Sequence, residues 1–153
     1  MNSSRLSEDL AIVGRLKPGA KTAGATVTSD IVDMDIFDRA LFIFNMGDYA
    51  AGNDGSVAVS VRASNDGASF TSDAALTGKA LTTASYTGSA LDDAVAVIEV
   101  TGAEMAAAGY RYCRLSVTPS NQNLTCSAIV LGGAARYKPA SDYDLATVKE
   151  IIA

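Results

Sequence analysis

Carboxylates are the side chains here whose type and spacing come closest to chemistry. "SDIVDMDIFD" places Asp30, Asp33, Asp35 and Asp38 in one short run, and clustered hard oxygens are what a calcium ion recruits. The spacing matches no EF-hand loop, however, and alternation along an extended strand sends Asp30 and Asp33 to opposite faces. Asp92 and Asp93 are adjacent, so in extended chain they point apart, which is poor geometry for an acid–base pair. Glu99 is a lone acid in a strand, expected to reach solvent or Arg114. The chain has no histidine, which removes Ser-His-Asp and Cys-His nucleophilic sites and most zinc sites. Two cysteines alone cannot build a structural zinc centre. "GAARYKP" lacks the Gly-Lys-Ser/Thr ending of a phosphate loop, and nothing matches the dinucleotide fingerprint. The expectation is a protein that is not an enzyme and carries no metal or cofactor. A small glycoside hydrolase would need an acid pair that nothing in the sequence singles out.

One further stretch has a chemical reading. "SNDGASF", Ser64 to Phe70, has a shortened likeness to the Asp-box turns of sugar-handling β proteins, and "GNDGS" from Gly52 echoes it. An Asp-box has one more residue between its Asp and Gly and then a Thr-Trp-like pair. Here Asp66 runs straight into Gly67, and Phe70 stands where the Trp would be. Asn-Asp-Gly also supplies residues that tolerate positive φ, and the two copies flank one alternating strand. The stretch is therefore expected to turn a corner. Its functional alternative is a lectin-like carbohydrate-binding β-sandwich module using loops near Asp54, Asp66 and Phe70.

These residues must be held by a scaffold of unusual composition. The 153 residues are 48% apolar, rich in small and β-branched types, with no Trp. That suits one sheet-rich domain with an ordinary core. A net charge of −5 argues against general affinity for nucleic acid. No secretory signal is visible and the longest uncharged apolar-rich run is too short to span a bilayer, so the expectation is a soluble protein made in the cytoplasm, without a membrane partner. Cys113 and Cys126 fall on neighbouring predicted strands and can face each other. In a reducing compartment they are read as free, buried small hydrophobes.

"SVAVSVRAS" alternates, with Val57, Val59 and Val61 facing in and Ser60 and Arg62 out; "YRYCRLSVTP" does the same with Cys113, Leu115 and Val117. "ALFIFNMG" reads as a strand buried on both faces. "ATVTSDIVDMDIF", "AVAVIEVTG" and "LTCSAIVLGGAARY" add further strands, "GAEMAAAG" one helical turn or a bulging connection, and Thr71 to Ser89 is weakly patterned. Six or more short strands with turns between them indicate an antiparallel sandwich or barrel. Residues 1–25, with Arg5, Arg15, Lys17 and Lys21 against Glu8 and Asp9 and broken by Pro18, Gly19 and Gly24, read as an extended N-terminal arm. It is either a tail that lies on a partner or a loose terminus. The sandwich domain spans 26–138. In 139–153, Ser141 is a credible N-cap, and Leu145, Val148, Ile151 and Ile152 form the apolar stripe of a short amphipathic helix. That stripe needs a partner, its own sandwich or a neighbouring chain.

"LSEDLAIVGRL", "TSDIVDMDIFDRALFIFNMG", "VSVRASNDGASF", "YRYCRLSVTPS" and "AIVLGGAARYKPASDYDLATV" together resemble small proteins from the capsid gene clusters of tailed double-stranded DNA phages. The resemblance covers nearly the whole chain but consists of framework segments, with no catalytic motif in it. It implies a head cement or decoration protein with a jelly-roll-like β-sandwich, a homotrimer on the outside of the virion. The partner it implies is the major capsid protein, whose neighbouring subunits it ties together. The candidate contacts are then Arg5, Arg15, Lys17 and Lys21 of the arm and Leu145, Val148, Ile151 and Ile152 of the helix. No nucleic acid and no small-molecule substrate is expected.

Overall fold

A computed structural model describes residues 5–49, 55–81, 85–86 and 93–152 of the chain. A single helical turn, α1 (Leu6–Asp9), leads into β1 (Leu10–Lys21), β2 (Val27–Thr28), β3 (Val32–Asp33), β4 (Phe37–Tyr49) and β5 (Gly55–Ser64). Then come β6 (Ala74–Ala80), β7 (Ser85–Tyr86), β8 (Val95–Thr101), helix α2 (Gly102–Ala108), β9 (Tyr112–Ser120), β10 (Leu124–Ala135) and a 3₁₀ turn (Ala140–Tyr143). All strand pairs are antiparallel. One sheet runs β1-β10-β4-β8; the other runs β2-β9-β5-β6, with β3 on β9 and β7 on β5. This is an all-β sandwich, and the passage of the chain back and forth between the sheets gives the strand order of a jelly roll.

The alternation read from the sequence is what builds the core. Val57, Val59 and Val61 of β5 and Cys113, Leu115 and Val117 of β9 point inward from one sheet. They meet Phe42 and Phe44 of β4, Val100 of β8 and Leu124 and Val130 of β10 from the other. Burying a side chain of this size stabilises the fold by about 1.5–3 kcal/mol, so the small residues elsewhere are tolerated. Ser29 closes the gap between β2 and β3: its Oγ donates to the Asp30 carbonyl and accepts from the Leu115 N–H at 3.0 Å. Helix α2 starts on Thr101, whose Oγ1 accepts from the Glu104 N–H while Glu104 accepts from the Thr101 N–H. It buries Met105 and stops at Gly109, which takes the left-handed conformation.

Two expectations need correction. The N-terminal segment is extended, but from Leu10 to Lys21 it is the edge strand of the first sheet, paired along β10. The breaks at Pro18 and Gly19 coincide with an irregularity in that pairing, between Leu16 and Gly19, which the strand survives. A short helical element is present near the C-terminus, but it is the 3₁₀ turn Ala140–Tyr143, and residues 144–152 are not helical. A helix this short is marginal by itself, and its backbone has a better offer. The Asp144 carboxylate accepts from the Ile12 N–H at 2.5 Å, and the Leu145 N–H donates to the Ile12 carbonyl at 2.9 Å. The tail thus caps the open edge of β1, and Tyr143 packs edge-on against Phe37 at 5.6 Å.

The cysteines are buried and free, on consecutive strands that belong to opposite sheets. Burial pushes the Cys113 thiol up to about 12 and raises Cys126 as well.

Candidate functional site

The outer face of the first sheet departs from the expected pattern. A sheet with one face in water ordinarily alternates apolar-in and polar-out. In β4, Phe42, Phe44 and Met46 fill the core, but the alternate positions Leu41 and Ile43 are aliphatic too. Register carries this across all four strands. Ile12, Leu131 and Leu41 lie in one row, ending at Glu99. Arg15, Ile129, Ile43 and Val97 lie in the next, and Ser127, Asn45 and Val95 in a third. Val95 is 59% exposed, Val97 56% and Ile129 44%. The result is one contiguous aliphatic surface, edged by the Arg39–Glu99 ion pair at 3.5 Å. Such surfaces on soluble domains mark contact sites. "ALFIFNMG" was expected to be buried on both faces; only one face is covered within the chain. The signal in the sequence was the failure of alternation in "ALFIF" and "AVAVI", which does not say what covers the second face.

The β1 edge of this sheet is less available. At β1 the tail caps Ile12, and Asp30 caps Arg15, whose N–H donates to the Asp30 carboxylate at 3.0 Å while its carbonyl accepts from the Asp30 N–H. Lys21 Nζ donates to the Lys17 carbonyl at 2.7 Å. A strand edge whose groups are already engaged is a poor template for adding a partner's strand. The face is the better docking surface.

Of the eight residues singled out from sequence, three come together. Arg15, Lys17 and Lys21 line one groove of about 350 Å³ between β1 and β2, with Leu16, Val27, Thr28 and Asp30. Arg5 is exposed at the start of α1, at the opposite end of β1 from Lys21. Leu145 is half-buried beside β1 and Val148 is half-buried as well, and neither belongs to the core. Ile151 and Ile152 are exposed, Ile152 at 90%. The four tail residues do not form one apolar stripe, because the helix that would align them is absent.

Three of the carboxylates that suggested calcium, Asp30, Asp33 and Asp35, are occupied by cations and backbone. Arg111 holds Asp33 through Nε at 2.9 Å and Nη2 at 2.6 Å, and reaches Asp35 at 3.1 Å; Arg136 lies 3.9 Å from Asp35. Burial alone would raise the Asp33 carboxyl, but the bonds from Arg111 and the Asp35 N–H outweigh it and hold it below the usual range. Among the described residues no three His, Cys, Asp or Glu side chains converge as a metal site. Glu99 pairs with Arg39, whereas Arg114, in the other sheet, lies over the Phe70 ring at 4.1 Å.

"SNDGASF" opens the connection from β5 to β6. Asp66 accepts from the N–H groups of Ala68 and Ser69 and from Thr71 Oγ1, at 2.9, 3.1 and 2.9 Å. These bonds hold its carboxyl down at about 2. Phe70 is 3% exposed beneath Arg114, so it offers no ring for a sugar to stack on. The glycine has a different purpose from the one expected: Phe70 and Ser72 take the positive φ, and Gly67 lets the Tyr112 ring approach. Asp54 and Asp92 lie outside the described residues.

No family model matches the chain, and no curated protein matches it either.

Proposed function

We propose that this chain is a structural protein of a phage virion, one that binds the outside of the capsid and cements neighbouring major capsid subunits. The observation that carries the reading is the aliphatic outer face of the β1-β10-β4-β8 sheet, built from Leu41, Ile43, Val95, Val97, Ile129 and Leu131. A face of this kind suits burial against another protein. Framework segments that resemble capsid-cluster proteins supply the identity of the partner, the shell. The same segments suggest a homotrimer. Repetition on a closed shell makes a modest contact per copy sufficient, because many copies act together. Binding the expanded, filled head better than dissociated subunits stabilises it by linkage.

The test is sedimentation of intact particles from the source lysate, with this chain quantified against the major shell protein. A fixed ratio that survives washing is expected. A chain that stays wholly in the soluble fraction would end the cement reading.

A further inference from the structure

The outer face of the second sheet, on the far side of the sandwich, is different in kind. A groove of about 450 Å³ runs over β2, β9 and β5. Its floor is small and hydroxylic: Ser60, Ser116 and Thr28 lie in one cross-strand row, and Ala58 and Thr118 in the next. Thr118 Oγ1 lies 2.8 Å from Thr26 Oγ1. At one end stand Arg62, Arg114 and Asp73. Asp73 takes a forked bond from Arg62, at 3.0 and 3.1 Å, and this pair is satisfied. Arg114 is not: its Nη2 is 3.8 Å from Asp73, beyond hydrogen-bond length. Its Nε is the one buried side-chain nitrogen or oxygen among the described residues without a partner. Buried donors are rarely left so.

Thr28 also lines the groove of Arg15, Lys17 and Lys21, so the two grooves meet. Together they are lined by five cations against two carboxylates, Asp30 and Asp73, in a chain whose net charge is −5. Strand spacing of about 4.8 Å sets the hydroxyls at intervals near the length of a sugar ring. A floor dominated by hydroxyls, with Ala58 as its one wholly aliphatic side chain, suits hydroxyl-rich ligands rather than a protein core contact.

We infer that the hydroxyl-lined groove across Thr28, Ser60 and Ser116, with its cationic ends, binds an acidic saccharide. Ring hydroxyls exchange hydrogen bonds with the serines and threonines, and sugar carboxylates meet Arg114 at one end and Lys17 and Lys21 at the other. The inference concerns the isolated chain and does not depend on what the opposite sheet docks on.

The experiment is titration of the purified full chain with an oligogalacturonate, followed by calorimetry and by amide chemical shifts. Controls are a neutral glucan oligosaccharide and poly-L-glutamate. Saturable binding of the oligogalacturonate is expected, with shifts centred on Thr28, Ser60 and Ser116. The uncharged pair Ser60→Ala/Ser116→Ala is expected to weaken it about tenfold, the effect of one or two lost hydrogen bonds. Lys17→Ala/Lys21→Ala, which leaves the floor intact, should weaken it comparably and make it less salt-dependent. Unchanged thermal unfolding of both variants would show that the fold is kept. Absence of saturable binding overturns the proposal. So does equal binding of poly-L-glutamate with no effect of the serine changes, which would reveal a purely electrostatic surface for an acidic protein.

Discussion

Asp66 shows how a residue that looks chemical is spent on structure. Its oxygens are taken by the backbone and hydroxyl of its own turn, and the carboxyl sits at about 2, below its unfolded value of 3.8. A group depressed in this way stabilises the fold fully above the unfolded pKa and loses that contribution as pH falls through the folded one. In Asp66→Asn the amide oxygen still accepts from Ala68 and Ser69 but carries no charge. Its stability should therefore fall less steeply than wild type between about pH 4 and 2, measured by urea unfolding across that range. Gly67 is required by contact, since an added Cβ would lie 2.7 Å from the Tyr112 ring. Gly67→Ala is expected to cost about 1–3 kcal/mol, as overpacking does. The Asn-Asp-Gly run signalled a turn, and a turn is there. Which residue would take positive φ was not legible, because that depends on how Phe70 is drawn under Arg114 from another strand.

At the scale of elements, the two chain ends hold each other. The tail caps β1 through Asp144 and Leu145 at Ile12, α1 and the segment after β10 are joined by the Asp9–Lys138 ion pair, and Tyr143 covers Phe37. Asp144→Ala removes a charge-assisted bond to a backbone donor and should destabilise by about 1–3 kcal/mol with an unchanged denaturant slope. Deleting residues 1–25 should do far more. It removes β1, which supplies buried Ala11, Val13 and Leu16 to the core, and the expected outcome is loss of cooperative unfolding by circular dichroism. The charge pattern that suggested a loose arm was real, but Arg15 and Lys17 lie along a strand in which Ala11, Val13 and Leu16 are apolar and face inward. The helix expected over 141–153 had a cap and a stripe in sequence. A neighbouring strand edge in need of partners outcompeted it, and such an edge is visible only once the sheet is assembled.

For the whole molecule, the two sheets present opposite surfaces: aliphatic on β1-β10-β4-β8, hydroxylic and cationic on β2-β9-β5. If the first face docks on the shell, one charge placed within it should abolish attachment without harming the fold. Val97→Asp, at a side chain 56% exposed, is expected to melt within a few degrees of wild type, since surface changes usually lie within about 0.5 kcal/mol. Its co-sedimentation with particles should fall at least tenfold, about 1.4 kcal/mol of lost contact. Retention equal to wild type would place the contact elsewhere.

The sequence by itself determined the sheet class and the inward rows of β5 and β9, because period-two alternation of valine with polar residues reports a half-buried strand directly. It determined the role of "SNDGASF" as a turn for the same reason, local chemistry acting on local backbone. Only the tertiary structure decided that residues 10–21 are a strand, that the tail is a strap, that Arg15, Lys17 and Lys21 share a groove, and that Leu41, Ile43, Val95, Val97 and Ile129 form one face. Each of these depends on strand register between segments far apart in the chain. Register is set by packing across the sandwich, where a shift of one residue would exchange every inward side chain for an outward one.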